Sequence, residues 1–237
     1  MTKENIKDAV SRLLVSCFPF SLIAQTNTHN FIILYYHIVT DEDRLHVKHL
    51  YGYKGIRQFS DDLEFLLTRY SPVCLQDVID WAKGGNRNLR NCFLLTFDDG
   101  FREVYDVIAP ILTAKGIPAT FFLPSAFLDN GELCYLHKKS LLLEGISGKI
   151  SGASEKQIAQ LLAEAGIYSC RAAEGIMEID YGRRAHLDRI ADVLMIDFRE
   201  YLRREQPYVT SEQVRQLIAR GFTIGAHSID HAKGDRR

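Results

Sequence analysis

Two short stretches of the sequence combine residue types that can carry out hydrolytic chemistry. The segment LLTFDDG places Asp98 and Asp99 directly after an apolar run, and the segment GAHSIDH places His227 and His231 four positions apart after another. Neighbouring carboxylates repel each other and resist burial unless a cation neutralises them, and neutral imidazoles can hold that cation. Two histidines with one carboxylate, leaving positions open for water, form a recognised catalytic metal shell.

A divalent metal held in this way would supply chemistry suited to cleaving an amide or an ester. It lowers the pKa of a bound water from ~15.7 to about 7 and polarises the carbonyl under attack. One aspartate of the pair would bind the metal, while the other would stay free and accept the proton of the water. Gly100 would permit the turn that brings both side chains to one pocket, because successive strand residues point to opposite faces.

Each motif alone also has a simpler interpretation. A DDG segment is commonly a turn with a capping aspartate, and an HxxxH pair is commonly a pair of surface or hydrogen-bonded core histidines. The joint occurrence of both, each after an apolar run, favours a shared metal site. A third histidine, His37, ends the first apolar run of the chain. It either lines the same pocket or is a hydrogen-bonded structural histidine.

Short apolar runs without strong alternation predict strands that are buried on both faces of a parallel sheet. These runs cover residues 31–39, 92–97, 119–124 and 222–226. Helical patterns lie between them, with Ser60 and either Thr210 or Ser211 as predicted N-caps and with Gly116 and Gly221 as predicted helix ends. The succession predicts an α/β fold, either a barrel or an open doubly wound sheet. Both folds place active sites at the carboxyl ends of their strands, where the two motifs lie.

The domain organisation follows from the same patterns. Residues 130–205 are rich in Leu, Ala, Glu and Arg at helical spacing, which predicts a helical insertion within a domain that covers residues 31–237. Residues 1–30 are expected to form an N-terminal helical segment. Their apolar stretch at 13–24 predicts either an amphipathic helix on the domain or a signal or membrane-contacting segment. No other stretch approaches the ~20 apolar residues of a bilayer span.

The composition limits the class of partner and the compartment. The chain has 29 basic and 30 acidic side chains and a net charge of −1, which argues against a general affinity for nucleic acid. Five cysteines without a C-x-x-C pair favour a reducing compartment over a disulfide framework. We therefore expect a cytoplasmic protein, with export or membrane association through the N-terminal apolar segment as the alternative. The sequence does not indicate an oligomeric state.

The two motifs together resemble those of the polysaccharide deacetylases, metal-dependent carbohydrate esterases. LTFDDG and IGAHSIDH are similar to the first two motifs of that family, and ILYYHIV and ATFFL are similar to its strands. The resemblance implies a distorted (β/α) barrel that removes acetyl groups from N-acetylated sugars. It implies Asp98 as catalytic base and Asp99, His227 and His231 as ligands of a divalent metal, most commonly Zn²⁺. Ser228 would support the loop between the histidines.

The resemblance ends near the carboxyl terminus. Six residues follow His231, so the later motifs of the family, which supply an orienting arginine and a general acid, have no counterpart. We therefore expect a fragment or a truncated product that lacks the final barrel strands. The expected substrate is an N-acetylhexosamine in a polysaccharide or a glycan precursor. Two alternatives remain: a non-catalytic remnant that binds metal or sugar, and an amidase that acts on a small non-sugar amide.

Overall fold

The computed structural model describes residues 31–86, 88–148 and 150–232. They divide into two compact units. In the described part of the chain, the first unit contains residues 31–42, 52–129 and 207–229, and the second contains residues 43–51, 130–206 and 230–232. The predicted N-terminal helical segment lies outside the described residues, as does the apolar stretch within it.

A parallel β-sheet forms the centre of the first unit. Its strands are β1 (Phe31–Tyr36), β2 (Ser71–Val73), β3 (Cys92–Phe97), β4 (Thr120–Leu123) and β5 (Thr223–Ala226). The strand order is β1-β3-β4-β5, with β2 also paired to β3, and every pairing is parallel. This sheet, together with the helices that connect its strands, confirms the α/β class, whereas closure into a barrel stays a prediction.

Burial differs between the middle and the ends of this sheet. All six residues of β3 are buried, as predicted for a strand covered on both faces. The prediction is wrong for β1 and β5: Ile33 is 57% exposed, Tyr35 is 69% exposed, and no residue of β5 is fully buried. A continuous apolar run cannot distinguish these cases, because β1 and β5 stand at the two ends of the described strand order and have fewer neighbours to cover them.

Helices occupy most of the remaining described chain. In chain order they are α1 (Ile56–Leu67), α2 (Leu75–Ala82), α3 (Ala109–Lys115), α4 (Tyr135–Ser147), α5 (Gly152–Glu164), α6 (Ala172–Glu178), α7 (Ala185–Leu194), α8 (Phe198–Glu205) and α9 (Ser211–Ala219). A π-helical turn at Val104–Ile108 leads into α3. No helix among the described residues combines the length and the apolar character needed to cross a membrane.

The helix ends of the first unit test the predicted caps. Thr210 is the N-cap of α9, and its hydroxyl accepts the amide of Gln213 in a capping box. Gly116 ends α3 in the left-handed conformation, as predicted. Ser60 is not an N-cap, because α1 begins one turn earlier at Ile56 and the Ser60 hydroxyl donates to the carbonyl of that residue.

The second unit contains the helices α4 to α8, which lie in the stretch where the sequence predicts a helical insertion. It also includes residues 43–51, which were not predicted to belong to it. His46 shows why they do: it is 2% exposed, and its Nδ1 lies 2.9 Å from the hydroxyl of Tyr201. This burial could not be predicted from the sequence, because His46 lies in a polar segment.

Candidate metal centre

The carboxyl end of β3 positions the two adjacent aspartates. The Asp98 amide donates to the Tyr36 carbonyl over 2.9 Å, which extends the pairing between β1 and β3 by one residue. The chain then turns, because Asp99 and Gly100 have φ angles of 70° and 65°, both in the left-handed region. Asp99 is buried and Asp98 is half-buried. The expected turn is therefore present, and it begins at Asp99 rather than at the glycine.

Gly100 is tightly enclosed where the chain turns. A side chain at this position would place its Cβ 3.0 Å from Cδ2 of Leu123, the last residue of β4. The Gly100 carbonyl accepts the amide of Val209 over 3.0 Å, and the Arg102 amide donates to the carbonyl of Pro207 over 2.8 Å. The segment before α9 is thus hydrogen-bonded to the aspartate turn, and α9 leads into β5, the strand that the two histidines follow.

The carboxyl end of β5 positions the first histidine. The amide of His227 donates to the Leu123 carbonyl over 3.0 Å, so the pairing of β5 with β4 continues to this residue. The loop that follows bends sharply, since Ser228 and His231 have φ angles of 66° and 57°. Ser228 lies in this loop, where its carbonyl accepts the amide of Ser125 over 3.4 Å.

One oxygen of Asp99 and one nitrogen each of His227 and His231 lie within 4.8 Å of one another. His227 Nε2 is 3.6 Å from Asp99 Oδ1. Two ligands on a tetrahedral zinc ion lie about 3.3 Å apart, given metal–ligand bonds of roughly 2.0–2.1 Å. The separation and the chemistry of the donors, two imidazoles and one carboxylate, therefore fit a divalent transition metal such as Zn²⁺.

A further histidine lies near the second oxygen of the Asp99 carboxylate. His37 Nε2 lies 4.0 Å from Asp99 Oδ2, whereas His227 approaches Oδ1. The sequence allows two roles for His37, a residue that lines the pocket or a hydrogen-bonded structural histidine. Its position near Asp99 favours the first. The available signal was its register: Tyr36 pairs with Phe97, so His37 and Asp98 both follow directly on paired strand ends.

Buried polar contacts beneath the site hold the end of β1. The Tyr36 hydroxyl donates to Asp62 over 3.1 Å, and Asp62 also forms an ion pair with Lys54. Burial, followed by the charge of Asp62 and the hydrogen bond to it, raises the pKa of Tyr36 well above its ordinary value, so the phenol stays neutral. The Tyr36 carbonyl that receives the Asp98 amide is thus part of a fixed strand end.

Comparison with known proteins identifies a family for part of the chain. Residues 85–171 match the polysaccharide deacetylase family, which confirms the resemblance over that stretch. The match includes the aspartate motif, extends into the helical insertion, and ends before His227 and His231. No curated protein matches the chain.

Solved structures of deacetylases are also similar to the chain. A de-N-acetylase from Aggregatibacter actinomycetemcomitans is 25% identical, with a TM-score of 0.36, and the match covers 48% of this chain and 51% of that one. The Streptococcus pyogenes deacetylase PplD, solved with acetate, is 19% identical over 48% and 53% of the two chains, with a TM-score of 0.37. IcaB from Ammonifex degensii is 18% identical over 87% and 88%, with a TM-score of 0.37. The matched region is thus about half the length of the first two structures.

Proposed function

We propose that this chain is a metal-dependent hydrolase of the polysaccharide deacetylase type, which removes N-acetyl groups from amino-sugar residues of a polysaccharide or a glycan precursor. The observation that carries the proposal is the grouping of Asp99, His227 and His231, which lie in the segments that follow β3 and β5. The family match over residues 85–171, which includes Asp99 but neither histidine, supports the same reaction class.

The metal that we propose is a divalent ion, with Zn²⁺ as the best fit, held by Asp99, His227 and His231. When bound, it would supply an acidified water and a positive charge near the carbonyl oxygen of the acetyl group. Zinc is favoured because mixed imidazole and carboxylate donors with a position left open are typical of catalytic zinc sites.

Asp98 and His37 would do the proton chemistry. The carboxylate of Asp98 follows β3 directly and is not one of the three grouped metal-binding residues, and we propose that it accepts a proton from the attacking water. His37 Nε2 lies 4.0 Å from Asp99 Oδ2, and we propose its imidazole as the donor to the departing amine. This candidate proton donor directly follows the first strand, β1.

Metal binding is the first test of this proposal. We expect Asp99→Ala and His227→Ala each to reduce the zinc content of the purified protein severely, because each removes one of three ligands. The measurement is zinc per protein after dialysis against a weak chelator. Asp61→Ala removes an exposed carboxylate on α1 and is expected to leave the zinc content unchanged. Full zinc content in Asp99→Ala would rule out the proposed site.

The substrate class requires a second measurement with the zinc-loaded protein. Acetate release should be measured from N-acetylglucosamine oligomers and, in parallel, from simple acetamides of small amines. We expect release from the oligomers and little release from the acetamides. The reverse preference would indicate an amidase of small molecules, and zinc binding without release from either would indicate a non-catalytic remnant.

A further inference from the structure

The two histidines of the HSIDH segment are held by different parts of the chain. His227 continues the pairing of β5 with β4, because its amide donates to the Leu123 carbonyl over 3.0 Å. The next residues remain attached to the turn after β4, and the Ala126 amide donates to the Ile229 carbonyl over 2.8 Å. His231 lies two residues further on, past this pairing, and its φ of 57° is in a region that non-glycine residues adopt at a cost.

The residue immediately before His231 is anchored by its side chain. Asp230 accepts a hydrogen bond from the hydroxyl of Tyr181, and its other carboxylate oxygen accepts the amide of Ala232 over 3.3 Å. Residues 230–232 accordingly group with the helical unit that contains Tyr181. The aspartate is thus connected on one side to the helical unit and on the other to the backbone that directly follows His231.

Tyr181 is itself held in place, which allows it to act as an anchor. The guanidinium carbon of Arg184 lies 3.9 Å from the centre of the Tyr181 ring, and Arg184 Nη1 donates to the Tyr181 carbonyl over 3.0 Å. The ring of Tyr135 packs edge-on against it at 5.5 Å between centroids. These two contacts limit the freedom of Tyr181 to turn its hydroxyl away from Asp230.

We propose that Tyr181 is a positioning residue for the metal centre: through Asp230 it fixes the backbone of His231 and thereby the orientation of the third ligand. This inference rests on the proposed function in one respect, namely that His231 binds the metal. Groups that orient the ligands of a metal commonly have a large effect on affinity, because an unfixed ligand must be ordered when the metal binds. Tyr181 would therefore contribute to metal binding without contacting the metal.

The test is the zinc affinity of Tyr181→Phe, measured by competition with a chromophoric chelator. We expect the dissociation constant to rise about 10-fold or more, since one hydrogen bond to a charged acceptor is lost while the ring and its packing are kept. Tyr168→Phe is the matched control, because the Tyr168 side chain is 87% exposed and belongs to the same unit. Asp230→Asn keeps an oxygen that can accept the Tyr181 hydroxyl and is expected to lose less affinity than Asp230→Ala.

The double variant Tyr181→Phe/Asp230→Ala tests whether the two residues act together. It should bind zinc no more weakly than Asp230→Ala alone, because the hydroxyl has no effect once its acceptor is gone. Zinc affinity of Tyr181→Phe equal to that of the unchanged protein would overturn the inference, as would losses that add fully in the double variant. A shift in the Co²⁺ absorption spectrum of Tyr181→Phe, absent in Tyr168→Phe, would support a change in ligand orientation.

A measurement on metal-free protein separates this inference from the proposed function. Hydrogen exchange of the Ala232 amide should become faster in Tyr181→Phe, because Asp230 is then less well fixed as its acceptor. The amide of Val209, which donates to Gly100, should exchange at an unchanged rate. Unchanged exchange at Ala232 would contradict the positioning role even if the metal site is correct. Failure of zinc to bind the unchanged protein would contradict the proposed function, even where exchange at Ala232 responds as expected.

Discussion

The backbone of Asp99 decides which of the two adjacent carboxylates faces the histidines. Its φ of 70° turns the chain directly after β3, whereas the Asp98 amide is still bound to the Tyr36 carbonyl of the neighbouring strand. Asp99 is buried beside His227, and Asp98 keeps partial exposure to solvent. A buried ligand and a more accessible base suit the two roles that we propose for this pair.

At the residue scale we predict that Asp98→Asn keeps zinc and loses activity. The substitution removes the group proposed to accept the proton, and we expect deacetylation to fall about 10²- to 10⁴-fold. Zinc content should remain that of the unchanged protein, because Asp98 is not among the three grouped ligands. Acetate release and zinc content are measured on the same preparation.

The control for this variant is Asp106→Asn, which removes a half-exposed carboxylate that pairs with Arg102 near the same turn. It is expected to keep both zinc and activity. Substantial turnover by Asp98→Asn would show that another group accepts the proton. Loss of zinc in Asp98→Asn would show instead that Asp98 is a ligand.

Sequence reasoning reached these residues because their chemistry is local. Two carboxylates at the end of an apolar run indicate a candidate site without knowledge of the strand's neighbours. His227, which follows the apolar run of β5, gives the same kind of local signal. The burial of His46 and the proximity of His37 to Asp99 depend on contacts between distant segments. The residue types around these two histidines do not indicate such contacts. Only the register of the strands could have indicated that His37 lies near Asp99.

At the element scale, the turn between β3 and the π-helical turn connects the sheet to the site. Its two successive left-handed residues end the strand within one position, and Gly100 packs against Leu123 of β4. Such a turn holds the Asp99 side chain at a fixed distance from the end of the neighbouring strand. The sequence correctly predicts a turn at Gly100, but the contact of this glycine with Leu123 could not be predicted from the sequence.

We predict that Gly100→Ala destabilises the protein more than Gly116→Ala does. Both glycines have a φ of 65°, and only the Cβ at position 100 would meet another group closely. The left-handed backbone alone should cost about 1–2 kcal/mol at either position. The crowding at Leu123 should add roughly 1 kcal/mol or more for Gly100→Ala.

The measurement for this pair is the free energy of unfolding from urea denaturation of the two variants. Gly116→Ala serves as the control for backbone strain, because nothing lies within 4 Å of its added Cβ. Equal losses in the two variants would mean that Leu123 moves aside without cost. The same variants also report on the site, since only Gly100→Ala is expected to weaken zinc binding.

At the scale of the whole chain, the two units are assembled from interleaved segments. Residues 43–51 and 130–206 belong to the second unit, although each segment lies in sequence between segments of the first. The second of these segments was predicted from its helical composition. The first was not, because it is short and polar, and its His46 is buried through contacts with distant residues such as Tyr201 and His137.

We predict that zinc raises the thermal stability of the unchanged chain and leaves that of Asp99→Ala unchanged. Free zinc at about 100 times its dissociation constant stabilises a folded protein by roughly 2.7 kcal/mol. For a chain of this size, that corresponds to a rise in Tm of about 5–10 °C. Circular dichroism melting curves with zinc and with a chelator measure the difference. An equal rise in Asp99→Ala would place the stabilising metal elsewhere.

The pairing of β4 with β5 also has a consequence for how the chain reaches its folded state. β5 bonds in parallel to β4, although the whole of residues 124–222 separates them in sequence. Closing so long a loop is entropically unfavourable, so this contact forms slowly compared with the local helices between the two strands. His227 takes its place only when β5 has docked. The capacity to bind metal should therefore appear last during refolding. The rate of zinc uptake would then measure the rate of the final folding step.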